Sequence, residues 1–127
     1  TEAQDINFHY LDKLFQEAML QHQMSESVLN KVEEMDNYVI KHFRIAFGNR
    51  IVAHMKKFVP VYVACGGKEV SGVDYFIARK ILRKFEQLNI AYIRDEIDGF
   101  VQFLNDTFGE GEMKECIEYV TRLKKMA

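Results

Sequence analysis

The sequence predicts an all-α domain, a bundle of about six helices with one short extended segment near residues 59–65. Three observations carry this. Apolar residues recur at helical spacing along most of the chain. Only one proline, Pro60, interrupts them, and there is no Ser- or Gly-rich tract. The length, 127 residues, suits one domain with a core of its own, and 48% apolar with 28% charged residues is ordinary globular composition.

The elements follow in order. Phe8, Leu11, Phe15, Ala18 and Met19 keep the i, i+3, i+4, i+7 rule, which predicts a first helix over Ile6 to Gln23. Ser25 or Ser27 caps a second, whose stripe is Val28, Val32, Met35, Val39 and Phe43. Gly48-Asn49 breaks it, and Asn49 caps a third helix with Ile51, Val52, Met55 and Phe58 on its apolar face. Pro60 is expected to stop that helix. Val59 to Cys65 is β-branched, aromatic and uncharged, so it reads as extended, ended by Gly66-Gly67.

Ser71-Gly72-Val73-Asp74 carries a capping-box signature ahead of a fourth helix running to about Leu88. Tyr92, Ile93, Ile97, Phe100, Leu104 and Phe108 define a fifth, stopped by Gly109, with Gly99 inside it. Met113, Cys116, Ile117, Val120 and Leu123 define a sixth, with Lys124 and Lys125 at its negative dipole end.

Several classes are excluded. No apolar run approaches the ~20 residues of a membrane span, so no membrane partner is expected. The acidic, polar N-terminus is unlike a signal peptide. Cys65 and Cys116 stand far apart, which reads as reduced, buried thiols in a cytoplasmic protein. His9, His22, His42 and His54 are scattered and form no metal-ligand spacing. Cys65-Gly66-Gly67-Lys68 lacks the earlier glycine and the following Ser/Thr of a phosphate loop, and no nucleophile elbow occurs. Asp95, Glu96 and Asp98 cluster on a wet helix face, with nothing to desolvate them for acid–base work. The 127 residues alone are not expected to catalyse.

Charge is the informative feature. The net value is −2, yet residues 1–40 carry two basic and eight acidic groups, a balance of −6. Residues 41–84 carry ten basic groups (Lys41, Arg44, Arg50, Lys56, Lys57, Lys68, Arg79, Lys80, Arg83, Lys84) against Glu69 and Asp74, a balance of +8. Residues 85–127 return to −4, with five basic and nine acidic groups. The middle third either pairs with the acidic outer helices or meets external phosphate. Arg79, Lys80, Arg83 and Lys84 make a basic stripe opposite Phe76, Ile77, Ile81 and Phe85.

Phe47-Gly48-Asn49-Arg50-Ile51-Val52, Phe58-Val59-Pro60-Val61-Tyr62-Val63-Ala64-Cys65-Gly66-Gly67 and Asp74-Tyr75-Phe76-Ile77-Ala78-Arg79-Lys80-Ile81-Leu82-Arg83-Lys84 together resemble the C-terminal helical lid of bacterial McrB-like AAA+ ATPases, motors of modification-dependent restriction systems. The similarity spans about residues 25–125, and its specific part is 47–86. The resemblance implies a fragment of a longer protein whose Walker motifs lie in a preceding α/β domain. It implies ATP or GTP with Mg²⁺ as cofactor of the full-length protein. The implied partners are its own AAA+ core, neighbouring subunits of a ring, DNA and a nuclease subunit. A sensor-2 arginine touches the nucleotide in that family. Arg79 is the matching candidate and Lys80 the second, although Arg79 falls two turns past Ser71 and the family's sensor lies near the start of its helix. Arg50, Arg83 and Lys84 are candidates for inter-subunit or phosphate contacts. Two rival readings remain: a stand-alone nucleic-acid-binding module using residues 41–84, and a scaffold presenting Val59–Cys65 as an exposed apolar surface.

Overall fold

The computed structural model describes residues 9–14, 16–17 and 23–126. It is all-α, as the periodicity predicts. Five α-helices follow one another: α1 (Glu26–Phe43), α2 (Asn49–Ala64), α3 (Glu69–Lys80), α4 (Ile90–Phe108) and α5 (Lys114–Lys125). A 3₁₀ segment, Leu82–Gln87, joins α3 to α4. Residues 9–14 and 16–17 are also helical, and the rest of the first expected helix lies outside the described residues, apart from Gln23, which is not helical. No helix among the described residues is long and apolar enough to cross a membrane.

Packing runs α2 on α3, α3 on α5, α5 on α4, and α4 on α1, with the 3₁₀ segment against α3 and α5. The core is built from the stripes read in the sequence. All five stripe residues of α1, Val28 to Phe43, are buried, as are Ile97, Phe100, Leu104 and Phe108 of α4 and Cys116, Val120 and Leu123 of α5. Phe43, Phe85 and Phe100 join α1, the 3₁₀ segment and α4, with ring centroids 4.6 Å (Phe43–Phe85), 5.6 Å (Phe43–Phe100) and 5.8 Å (Phe85–Phe100) apart. Ser25 caps α1 as expected, accepting from the Val28 amide at 3.2 Å. Gly109 ends α4 with φ 110°, a conformation that favours glycine.

The expected extended segment at 59–65 is corrected. The chain stays helical through Ala64, with Pro60 inside α2. Pro60 withholds one helical hydrogen bond, at a cost of about 3 kcal/mol in a helix interior. Against this, Val59 and Pro60 are buried and Val61, Tyr62 and Val63 half-buried, at about 1.5–3 kcal/mol for each large side chain fully removed from water. A strand would need a partner, and there is no strand among the described residues, whereas α2 packs on α3. The same burial removes the exposed apolar surface that the scaffold reading required. Tyr62 lies flat against the α2–α3 turn. A Cβ on Gly67 would come within 2.1 Å of the Tyr62 ring, and one on Gly72 within 3.0 Å.

Three boundaries also differ. Gly48, not Asn49, is the cap residue of α2. Lys68, not Ser71, precedes α3, which therefore starts with Glu69 in its first turn. The Glu69 carboxylate accepts from both the amide (2.6 Å) and the hydroxyl (2.8 Å) of Ser25, fixing the start of α3 to the start of α1. α3, the fourth helix expected from the sequence, ends at Lys80 instead of continuing to Leu88. In the 3₁₀ geometry residues three apart share a side, so Leu82 and Phe85 both point into the core while Arg83, Lys84, Glu86 and Gln87 stay exposed.

Candidate anion-binding groove

The ten basic residues of segment 41–84 are all exposed. Among the described residues none of them has a carboxylate oxygen within 4.0 Å; the two ion pairs present, His42–Glu96 (2.8 Å) and Lys124–Asp98 (2.7 Å), use other groups. Among the described residues, then, the lysines and arginines of the middle third are not paired with the acidic outer helices.

Arg79 and Lys80 occupy the last turn of α3, and Arg83 and Lys84 project from the 3₁₀ segment. The Arg79 guanidinium lies over the Tyr75 ring, 3.4 Å from its centroid, and Nη1 donates to the Tyr75 carbonyl at 3.4 Å. Tyr75 stacks in turn on Phe58, with centroids 5.8 Å apart. This fixes the Arg79 head by a cation–π contact. Lys84 Nζ donates to the Ala46 carbonyl at 3.1 Å, which ties it to the α1–α2 loop.

Arg79, Lys80, Arg83 and Glu86 form one wall of an open groove of about 490 Å³. Glu115, Tyr119 and Arg122 of α5 form the other. An adjoining depression of about 540 Å³ shares the first wall and adds Lys84 and Gln87. Four of the five candidate residues thus meet in one place. Arg50 does not: it sits in the first turn of α2 and lines neither depression.

Arg122, Tyr119 and Glu86 escaped the sequence reading. No spacing rule links them to the basic stripe; the link is the packing of α5 on α3. The Tyr119 hydroxyl donates to Glu86 Oε1. Partial burial, then the Glu86 hydrogen bond and charge, push the Tyr119 phenol up to about 12, against the opposing pull of Arg83 and Arg122. The Arg122 guanidinium lies 6.0 Å from the Tyr119 ring centroid.

Asp74 sets the position of α5. It is 2% exposed and accepts from the amides of Glu115 (2.9 Å) and Cys116 (2.8 Å). These are orphan donors of the first turn of α5, so α3 supplies the cap that α5 lacks in its own sequence. Cys116 Sγ donates to the Asp74 carbonyl at 3.4 Å. Burial first, then the charge and hydrogen bond of Asp74, hold this thiol well above its ordinary range. Cys65, expected to be buried, is exposed, because its segment ends a helix instead of crossing the core.

Two members of the acidic cluster are held in side-chain pairs, and Asp95 is exposed. Glu96 bonds His42 Nδ1, whose ring stacks on Tyr38 at 4.1 Å, and Asp98 pairs with Lys124. Among the described residues no group of three His, Cys, Asp or Glu side chains could hold a metal ion. A second concavity of about 630 Å³, between α1 and α4, carries Glu26, Glu34 and Asp106 beside Lys31.

Guanidinium and ammonium groups free of internal carboxylates, facing one groove, are suited to an oxyanion through charge-assisted and bidentate hydrogen bonds. No protein-family model, curated protein or solved structure matches the chain.

Proposed function

We propose that this chain is the helical lid of an AAA+ nucleotide-hydrolysing motor, with the groove of Arg79, Lys80 and Arg83 facing the phosphates of a nucleotide held by a separate core domain. One observation carries the reading: these cations converge on an open groove and, among the described residues, have no carboxylate within ion-pair reach. The sequence resemblance over residues 47–86 supplies the motor context, including a restriction or defence role. Bound ATP or GTP with Mg²⁺ would supply the phosphate chain and its hydrolysis.

The part of this chain is electrostatic. Arg83 projects beyond the end of α3 and, among the described residues, has no carboxylate within 4.0 Å, so it can clamp a phosphate oxygen. Arg79 is held against Tyr75 in the last turn of α3, away from the helix N-terminus where sensor arginines of the family lie. It adds positive potential and a planar guanidinium face. When the phosphate charge falls, this attraction weakens and the lid is released.

The test is Arg83→Ala and Arg79→Ala in the full-length motor. Nucleotide turnover is expected to fall at least tenfold for Arg83→Ala and less for Arg79→Ala. Turnover unchanged in both removes the reading.

A second reading, a stand-alone nucleic-acid-binding module, is favoured by the exposure of all ten cations of segment 41–84. It requires tight DNA binding by the 127 residues alone, falling steeply between low and physiological salt. The lid reading expects weak or no binding in the same titration.

A further inference from the structure

The groove contains two carboxylates as well as four cations, which poses a question of competition. Glu86 and Glu115 line the same concavity as Arg79, Lys80, Arg83 and Arg122, yet none of these cations lies within 4.0 Å of a carboxylate oxygen among the described residues. For Glu86 the reason is visible: its Oε1 accepts from the Tyr119 hydroxyl. Glu115 offers its amide, not its carboxylate, to the inter-helix contact. Arg122 comes from α5 and Arg83 from the 3₁₀ segment, both line the groove with Tyr119, and the Arg122 guanidinium lies 6.0 Å from the Tyr119 ring centroid.

From this geometry we infer that Arg122, supplied by α5, is a second arm of the anion site beside Arg83 of the 3₁₀ segment, and that Tyr119 is a positioning residue that holds Glu86 away from both arginines so that they stay open to a polyphosphate chain. The inference rests on the phosphate-facing reading above and deepens it. Two guanidinium groups can each take oxygens of successive phosphates, so a phosphate chain, with more charge and more acceptors, is favoured over a single phosphate. Without the Tyr119 hydroxyl, the Glu86 carboxylate is free to turn to Arg83 or Arg122, and the ligand must then displace an internal ion pair.

The experiment is calorimetric titration of the 127-residue chain with inorganic triphosphate and with inorganic phosphate at low ionic strength, where exposed charges are least screened. Triphosphate is expected to bind at least tenfold more tightly than phosphate. Arg122→Gln and Arg83→Gln should each weaken triphosphate about five- to tenfold. Lys31→Gln, the same charge change in the acidic concavity between α1 and α4, should move it less than twofold. Tyr119→Phe should weaken binding about threefold, Glu86→Gln should tighten it, and the double variant Tyr119→Phe/Glu86→Gln should recover at least the starting affinity. That recovery separates a positioning role from a merely structural one. All these side chains are exposed or half-buried, so folding is not at stake.

If Arg83→Gln weakens binding and Arg122→Gln does not, the second arm is overturned and the phosphate-facing reading stands. An unchanged Tyr119→Phe, or a double variant as weak as Tyr119→Phe alone, overturns the role of Tyr119. Equal affinity for phosphate and triphosphate overturns the polyphosphate assignment. If every charge variant, Lys31→Gln included, shifts affinity alike, or the parent chain binds no triphosphate, the phosphate-facing reading itself falls.

Discussion

Removing the Asp74 charge tests the joint on which the groove depends. The carboxylate is buried and accepts two amides of α5, Glu115 at 2.9 Å and Cys116 at 2.8 Å. Asp74→Asn keeps the shape. Its Oδ1 can still accept one amide, but its NH₂ group then faces the other donor. One charge-assisted hydrogen bond is lost, and with it the attraction between a carboxylate and the positive end of a helix. Hydrogen bonds to charged groups contribute about 1.5–3 kcal/mol each, so the expected loss is about 2–3 kcal/mol. Asp74→Ala abandons both amides, and the cost rises to about 3–5 kcal/mol because buried donors are left unmet.

Unfolding entropy near 2.1 cal/mol/K per residue gives about 0.27 kcal/mol/K for a chain of this length, so Asp74→Asn should lower Tm by roughly 7–11 °C. Far-UV circular dichroism gives the midpoint, and urea unfolding with an unchanged m-value confirms that stability, not the denatured state, has moved. Amide exchange adds the location: Glu115 and Cys116 should lose protection beyond the global change. A variant within about 0.5 kcal/mol of the parent, a change typical of surface sites, would refute the claim that α3 caps α5.

Two further outcomes follow from the same region. Spectrophotometric titration should show one tyrosine ionising near pH 12. The folded value lies above the ordinary value of 10.0, so the contribution of Tyr119 to stability is complete below pH 10 and is lost as pH rises towards 12. Glu86→Gln removes the charge and weakens the hydrogen bond that raise this group, and should bring its titration down. A Tyr119 titration left unmoved in Glu86→Gln would count against the Tyr119–Glu86 pair. Thiol labelling of the native chain should modify exposed Cys65 promptly and Cys116 only on unfolding, because Cys116 is buried and its thiol is held protonated. Two equally fast thiols would contradict the packing of α5 on α3.

The helices were legible wherever one face of the element decides its burial. Val28, Val32, Met35, Val39 and Phe43 needed only periodicity to be placed in the core, and α4 and α5 followed the same rule. Val59–Cys65 misled because its β-branched run and Pro60 express local preference, while the outcome was decided by contact with α3. Asp74 misled in the same way. Its spacing from Ser71 suggested a local cap, yet it caps a helix that begins forty residues later. Within the groove, Arg79, Lys80 and Arg83 were legible from their i, i+1 and i+4 offsets. Arg122 was not, because it belongs to a third of the chain with a negative balance and reaches the groove only through tertiary packing.

The use of carboxylates explains why the cations remain open. Asp36 accepts the Phe47 amide at 2.9 Å, Glu69 binds Ser25, and Asp74 binds the first turn of α5. Each joins the backbone of one element to the side chain of another, and each answers a donor that would otherwise lack a partner at a helix end or a loop. Glu86 is engaged by a phenol, Glu96 by a histidine and Asp98 by a lysine outside the basic segment. These acids are bonded elsewhere, and among the described residues none of them lies within 4.0 Å of a lysine or arginine of the middle third. Both Glu69 and Asp74, the only acids of segment 41–84, are committed in this way. The ten basic groups of that segment all stay exposed, and four of them, Arg79, Lys80, Arg83 and Lys84, stand together at the end of α3 and in the 3₁₀ segment.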